Sequence, residues 1–191
     1  YLTSLGFTIF KGSEKNVLDR YYKTAKKYNA KIVVRITGDC PLVDPSLADE
    51  LVLKFLKSNF DYMSNNKPAT LPDGLDIEVF SFKALEKAWK KATTNFDREH
   101  VTPFITRNSN IFKKSSVKNN KDYSNINWCI NEPEDYKTLK KIFNHFYPNI
   151  YFGWKEIIKA RRFKPSLYSL ISKRKRDEGS ELSSGQKLWQ R

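Results

Sequence analysis

Lys31-Ile-Val-Val-Arg-Ile-Thr-Gly-Asp-Cys-Pro-Leu-Val-Asp-Pro45 is the stretch on which the fold turns. Its first seven residues are β-branched and nearly continuous in apolar character, as expected of a buried parallel strand. Gly38 to Pro45 is rich in turn residues and reads as a loop. The next segment, from Ser46 to about Ser58, carries Leu47, Leu51, Phe55 and Leu56 on one helical face. Upstream, Leu18, Tyr21, Tyr22, Ala25 and Tyr28 recur at helical spacing, so Glu14 to about Tyr28 is predicted as an amphipathic helix capped by Ser13. Phe7–Phe10 reads as a short strand before it, and Asp61–Ser64 as another after the second helix. Strand, helix, strand, helix, strand with short links predicts a doubly wound, mostly parallel α/β sheet.

The downstream half continues the alternation. A loop over 65–75 carries Pro68, Pro72 and Gly74. Asp76–Phe80 then reads as a strand, Phe82–Thr93 as a helix, and Asp97–Arg107 as helical, with Pro103 tolerated near a start. Strands are predicted over Phe112–Val117 and Asn127–Ile130. Helices are predicted over Glu134–Tyr147, where Tyr136, Leu139, Ile142, Phe143 and Phe146 share a face, and over Phe152–Ala160. Residues 1–172 are expected to form the domain and 173–191 a basic linker or tail.

Composition bounds the function. The chain has 191 residues, 39% of them hydrophobic and 14% aromatic. It is therefore too apolar for a disordered chain and long enough to bury a core without staples. No apolar run approaches the ~20 residues of a membrane-spanning helix. The net charge is +14, and 10 of the 35 basic residues fall between Lys159 and Arg191. A basic chain favours a phosphate-bearing partner. With 26 lysines and 15 asparagines, however, a compositional bias explains the same excess. No aromatic-interleaved basic stripe points to nucleic acid, which is expected not to be a partner. The two cysteines, Cys40 and Cys129, fit neither a disulfide framework nor a C-x-x-C metal knuckle. They are expected as buried thiols in a reducing cytoplasm.

Several residues sit where chemistry is expected. Gly38-Asp39 follows the 31–37 strand, and ligands of open α/β sheets bind beyond the carboxyl ends of strands. Asp39 is placed there to hold Mg²⁺ against a polyphosphate, or else to act as a turn residue; Asp44 suits the role of helix cap better. Asp73, Asp76 and Glu78 cluster around Gly74, and on a strand Asp76 and Glu78 would share a face. Arg98-Glu99-His100-Val101-Thr102 brings three ionisable residues together, with His100 open to an acid–base or a structural role. His145 is expected to be structural. Asn131 and Glu132 end another strand, ahead of a helix that Pro133, Glu134 and Asp135 are suited to start. The chain has no P-loop, no G-x-G-x-x-G, no H-E-x-x-H and no G-x-S-x-G.

Five ordered blocks carry a resemblance. They are Gly12-Ser-Glu-Lys-Asn-Val-Leu-Asp-Arg20, Val34–Pro45, Pro72-Asp-Gly-Leu-Asp-Ile-Glu-Val-Phe80, Arg98-Glu-His-Val-Thr-Pro103 and Asn131-Glu-Pro-Glu-Asp135. Together they resemble the cytidylyltransferases of the family of spore coat polysaccharide biosynthesis protein F (SpsF), relatives of the CMP-sugar synthetases. The resemblance implies a nucleotide-diphospho-sugar transferase fold and cytoplasmic transfer of CMP from CTP to a sugar, with pyrophosphate leaving. It implies Asp39 as Mg²⁺ ligand with Asn131 beside it, and Arg35 near the phosphates. Asp73, Asp76, Arg98, Glu99, His100 and Thr102 would line the sugar side. The family's opening strand and R-x-x-S-x-R-L-P-G-K loop have no counterpart here. The chain is thus expected to lack the first βαβ unit and to be inactive alone. Asn131 stands where the family usually carries Asp, which raises the alternative of a catalytically silent domain serving assembly. A third alternative is a nucleic-acid binder. Related synthetases often pair, so a homodimer is compatible with the resemblance. Ser184-Gly-Gln-Lys-Leu-Trp-Gln-Arg191 resembles the opening of aminotransferase domains related to glutamate-1-semialdehyde aminomutase, which implies a fused partner domain.

Overall fold

The structure is a computed structural model, and it describes residues 1–165 and Arg176. The expected boundary at 172/173, the linker reading and the aminotransferase-like end all lie outside the described residues, Arg176 excepted. After a 3₁₀ turn at Thr3–Leu5, the elements in chain order are α1 (Val17–Lys27), β1 (Ile32–Arg35), α2 (Pro45–Leu56), β2 (Tyr62–Ser64) and β3 (Glu78–Ser81). They are followed by α3 (Phe82–Lys91), α4 (Asn95–His100), α5 (Pro103–Arg107), β4 (Lys114–Ser116), α6 (Pro133–Phe146) and α7 (Trp154–Phe163). No helix among the described residues is long and apolar enough to cross a membrane.

The four strands lie in the order β1-β3-β2-β4. β3 is antiparallel to both β1 and β2, and β2 is parallel to β4, so three strands point one way and β3 the other. The sheet has helices on both faces, as the alternation of elements predicts. In the aligned rows Val33–Phe80–Tyr62 and Val34–Val79–Met63, side chains alternate between faces. Phe80 and Tyr62 pack with Leu18, Tyr22, Leu85, Ala88 and Ile105 from α1, α3 and α5. Val79 and Met63 pack with Leu51 and Phe55 of α2. A third apolar cluster joins α6 and α7 (Leu139, Ile142, Trp154, Ile157) to Leu75, Ile126 and Trp128. That cluster fixes the loops that carry the site.

Several local expectations are corrected. β1 is not a buried parallel strand: its partner is antiparallel, and Val34 and Ile36 remain 41% and 38% exposed. Its apolar run is one-sided in effect, because only one flank of the strand has a neighbour among the described residues. Phe7–Phe10 is no strand: among the described residues no partner supplies its ladder, and Phe7 and Ile9 are exposed. Among the described residues Asn127–Ile130 forms a single bridge, Asp73 to Asn127, and no strand. The predicted helix over 97–107 is two short helices, with Pro103 opening the second. Asn16 rather than Ser13 caps α1, accepting the Asp19 N–H at 3.0 Å; Ser13 Oγ in turn accepts the Asn16 N–H at 2.9 Å.

Candidate active site

The loop after β1 separates two aspartates by role. Asp44 is buried and accepts from the Ser46 N–H at 2.8 Å, capping α2, and from the Trp154 N–H at 3.0 Å, tying in the first turn of α7. Asp39 caps nothing. Among the described residues it meets no cation, and its Oδ1 lies 3.5 Å from the Cys40 thiol. The capping duty that could have explained Asp39 therefore belongs to Asp44, as the sequence favoured.

One irregular segment, residues 126–131, binds two loops together. Asp73 donates its N–H to Ile126 O at 2.8 Å and accepts the Trp128 N–H at 2.8 Å. Two residues on, the Ile130 N–H reaches Asp39 O at 2.8 Å. Gly74 makes the approach possible. Its φ is +96°, and a Cβ there would stand 2.9 Å from the Trp128 carbonyl carbon. These bonds bring side chains of three loops into one row. Cys40 Sγ lies 3.7 Å from Cys129 Sγ, and Cys129 Sγ lies 3.4 Å from Asp73 Oδ1. Both cysteines are free and buried, as expected. The Cys40 hydrogen bond, burial and the nearby Asp73 and Asp39 push the Cys129 thiol well above its ordinary pKa. Beyond Asp73 comes Arg176. Its NH2 pairs with Asp76 Oδ1 at 2.5 Å, its Nε stands 3.7 Å from Asp73 Oδ1, and its NH1 donates to Leu71 O at 3.3 Å.

The remaining predicted residues are placed as follows. Asp76 and Glu78 do not act from one face, because the strand begins at Glu78. Asp76 turns to Arg176, while Glu78 is buried and pairs with Arg35 at 2.5 Å and with the Tyr62 hydroxyl at 2.6 Å. Burial, with the neighbouring Glu78 carboxylate, raises the Tyr62 hydroxyl. Burial opposes the Arg35 charge, but the Glu78 charge and hydrogen bond outweigh it and leave Arg35 raised. Arg35 is thus held across the sheet by the residue opposite it in register. Asn131 is exposed, and its N–H, with that of Glu132, donates to Asp135 Oδ2 at 3.0 and 2.8 Å. Its backbone is one residue from the Ile130–Asp39 bond, so Asn131 lies next to the Asp39 loop.

The 98–102 block lies within the helical packing. Arg98 donates to Ala92 O at 2.9 Å, and the His100 ring packs on Phe96 with centroids 4.7 Å apart. Glu99 is exposed and Thr102 is buried. Val101 between them is fully buried at φ +72°, a region β-branched residues avoid. Sequence reasoning missed the meeting of Cys40 with Cys129 and the return of Arg176. The first had a faint signal, since each cysteine follows or ends a predicted strand. The second had none, because Arg176 belongs to a stretch read as linker.

A sheet covered by helices on both faces, with carboxylates gathered in the loops beyond β1, has the α/β layering in which ligands bind beyond the carboxyl ends of strands. A sequence profile described as Cytidylyltransferase matches residues 2–160, and the chain belongs to that family. A cytidylyltransferase from Leptospira borgpetersenii serovar Hardjo-bovis superposes with a TM-score of 0.83 at 33% identity, over 87% of this chain and 70% of that one. An uncharacterized protein of Methanocaldococcus jannaschii is 44% identical over 146 residues, 75% of this chain and 58% of its own. The spore coat polysaccharide biosynthesis protein SpsF of Bacillus subtilis is 27% identical over 146 residues, 72% of this chain and 58% of its own. The chain thus spans 58% of the length of both curated relatives.

Proposed function

We propose that this chain carries metal-binding and sugar-binding residues of a cytidylyltransferase that activates a sugar as its CMP derivative. The observation that carries the reading is Asp39. It is a carboxylate at the carboxyl end of β1, released from capping by Asp44 and tied through residues 126–130 to the loop of Asp73. The donor chemistry suits Mg²⁺, which takes one or two protein oxygens and completes its shell with phosphate oxygens and water. Asp39 would supply the carboxylate, and Asn131, whose backbone lies next to the Asp39 loop, would supply a neutral amide oxygen. When bound, the ion offsets triphosphate charge. Asp73 and Asp76, held by Arg176, form a wall able to accept sugar hydroxyls. Arg35, locked on Glu78, steadies the strand that presents Asp39. The 98–102 block supports the scaffold from its helical packing. The SpsF relative supports a polysaccharide precursor as the product's destination.

The test is a thermal shift of the full-length protein with CTP, UTP, GTP and ATP, each with Mg²⁺ and with EDTA. A CTP-selective, Mg²⁺-dependent rise is expected, about 2.7 kcal/mol at one hundred times Kd. It should vanish in Asp39→Ala. An unchanged rise in that variant would refute the metal role, and no response to CTP would refute the nucleotide. Asn131, neutral beside Asp39, favours a second reading as a silent domain. Pyrophosphate release on mixing CTP with candidate sugars argues against silence. Release gained only in Asn131→Asp identifies Asn131 as its cause.

A further inference from the structure

We propose that Asp39, Cys40 and Cys129 form a site for one thiophilic divalent cation of the Zn²⁺ type. The three donor atoms all lie within 4.8 Å of one another. A tetrahedral ion with metal–sulfur bonds of about 2.3 Å and metal–oxygen bonds of about 2.0 Å sets its sulfurs about 3.8 Å apart and sulfur from oxygen about 3.5 Å. The Cys40–Cys129 distance is 3.7 Å and the Cys40–Asp39 distance is 3.5 Å. Two edges of the coordination polyhedron therefore exist before any ion arrives.

Charge and softness agree with the spacing. The two buried thiols stand in one row with the carboxylates of Asp39 and Asp73, a donor set that suits a cation. Arg176 lies near Asp73, but no described cation reaches Asp39. Thiolates select soft ions over Mg²⁺. Binding replaces the two thiol protons with two metal–sulfur bonds and releases two protons to solvent. Asp73 is engaged by Arg176, so water takes the fourth position. The backbone holds the ligands in place: Cys40 N–H donates to Thr37 O at 3.3 Å, and Cys129 N–H to Asn127 Oδ1 at 2.8 Å. The site does not depend on the nucleotide reading. Where that reading holds, the two ions compete for Asp39, and Zn²⁺ lowers the response to Mg²⁺ and CTP.

Cobalt titration of the full-length protein under a phosphine reductant reads the site directly. A thiolate-to-cobalt charge-transfer band is expected, saturating at one ion per chain and bleached by Zn²⁺. Cys129→Ser should abolish the two-sulfur band. Should that buried variant misfold by circular dichroism, Asp39→Asn at the accessible ligand provides the second test, keeping the sulfur band at weaker affinity. A reduced protein without the band, or a folded Cys129→Ser with an unchanged band, overturns the proposal. An Asp39→Asn variant binding cobalt as tightly as the parent removes Asp39 from the site and overturns it as stated. CTP plays no part in these readings, so their failure is separate from failure of the cytidylyltransferase proposal.

Discussion

The helical block over 94–107 and the loop cluster of Asp39, Asp73 and Cys129 are similarly rich in polar groups, and they treat charge in opposite ways. In the block, every buried charge meets an opposite one or a backbone dipole. Asp97 is fully buried, receives the Thr94 hydroxyl at 2.7 Å and is gripped by both terminal nitrogens of Arg107. Thr94 caps α4 through the Asp97 N–H at 3.1 Å. In the cluster, two carboxylates and two thiols face each other, and Asp39 has no described cation. Satisfied charges hold a fold together. A carboxylate left without a described cation beside buried thiols stores a demand for one, which is what a metal site requires.

The sharpest way to break this contrast is Asp97→Ala. Removing one partner of a fully buried ion pair costs roughly 3–5 kcal/mol. Arg107 is 47% exposed and recovers hydration, so about 2–3 kcal/mol is expected here. That lowers the midpoint by roughly 5–10 °C for a chain of this size, read by differential scanning calorimetry. A midpoint within a degree of the parent's would mean the block is not held by its charges, and its polar residues would return as candidates for substrate contact.

Gly74→Ala sharpens the other side. The new Cβ meets the Trp128 carbonyl carbon at 2.9 Å on a backbone at φ +96°, and the strain is about 1–2 kcal/mol. The expected result is a modest loss of stability with a disproportionate loss of ligand response. Residues 126–130 must shift, and among the described residues they tie the Asp73 loop to the Asp39 backbone. Equal losses of both would show that the cluster tolerates its loops moving apart.

How legible each region was follows from the range of its interactions. Helices with long apolar periods, such as Phe82–Lys91 and Pro133–Phe146, emerged within two or three residues of their predicted bounds because local spacing defines them. The Asp39–Asp44 distinction was legible too, since Asp44 precedes Pro45 and capping is a local rule. The edge position of β1, the register that sets Arg35 opposite Glu78, and the 3.7 Å meeting of cysteines 89 residues apart were not. Each depends on which strand or loop lies beside which, and no period along one segment encodes that. Phe7–Phe10 shows the converse. Its apolar residues satisfy the local rule for a strand, yet a strand exists only with a partner for its backbone.

Asp19 offers the smallest effect and a different test of the helical side, because its charge is paired at the surface rather than in the core. It lies 2.7 Å from Lys23 one turn on, and it accepts the Trp89 indole N–H at 2.9 Å. The Lys23 hydrogen bond, opposed by partial burial and helped by Trp89, holds its carboxyl below the ordinary 3.8. A carboxyl lowered on folding adds stability that is fully present above its unfolded pKa and is lost as pH falls through the folded one. Asp19→Asn should therefore be less stable than the parent at neutral pH by under about 1 kcal/mol, as befits an exposed lysine partner. The difference should close on acidification below about pH 3.8, read by urea titrations across that range. A difference that persists unchanged into acid would assign the effect to the Trp89 contact and helix packing rather than to charge. The pairing of opposite charges would then explain the buried part of the helical side, at Asp97, and not its surface.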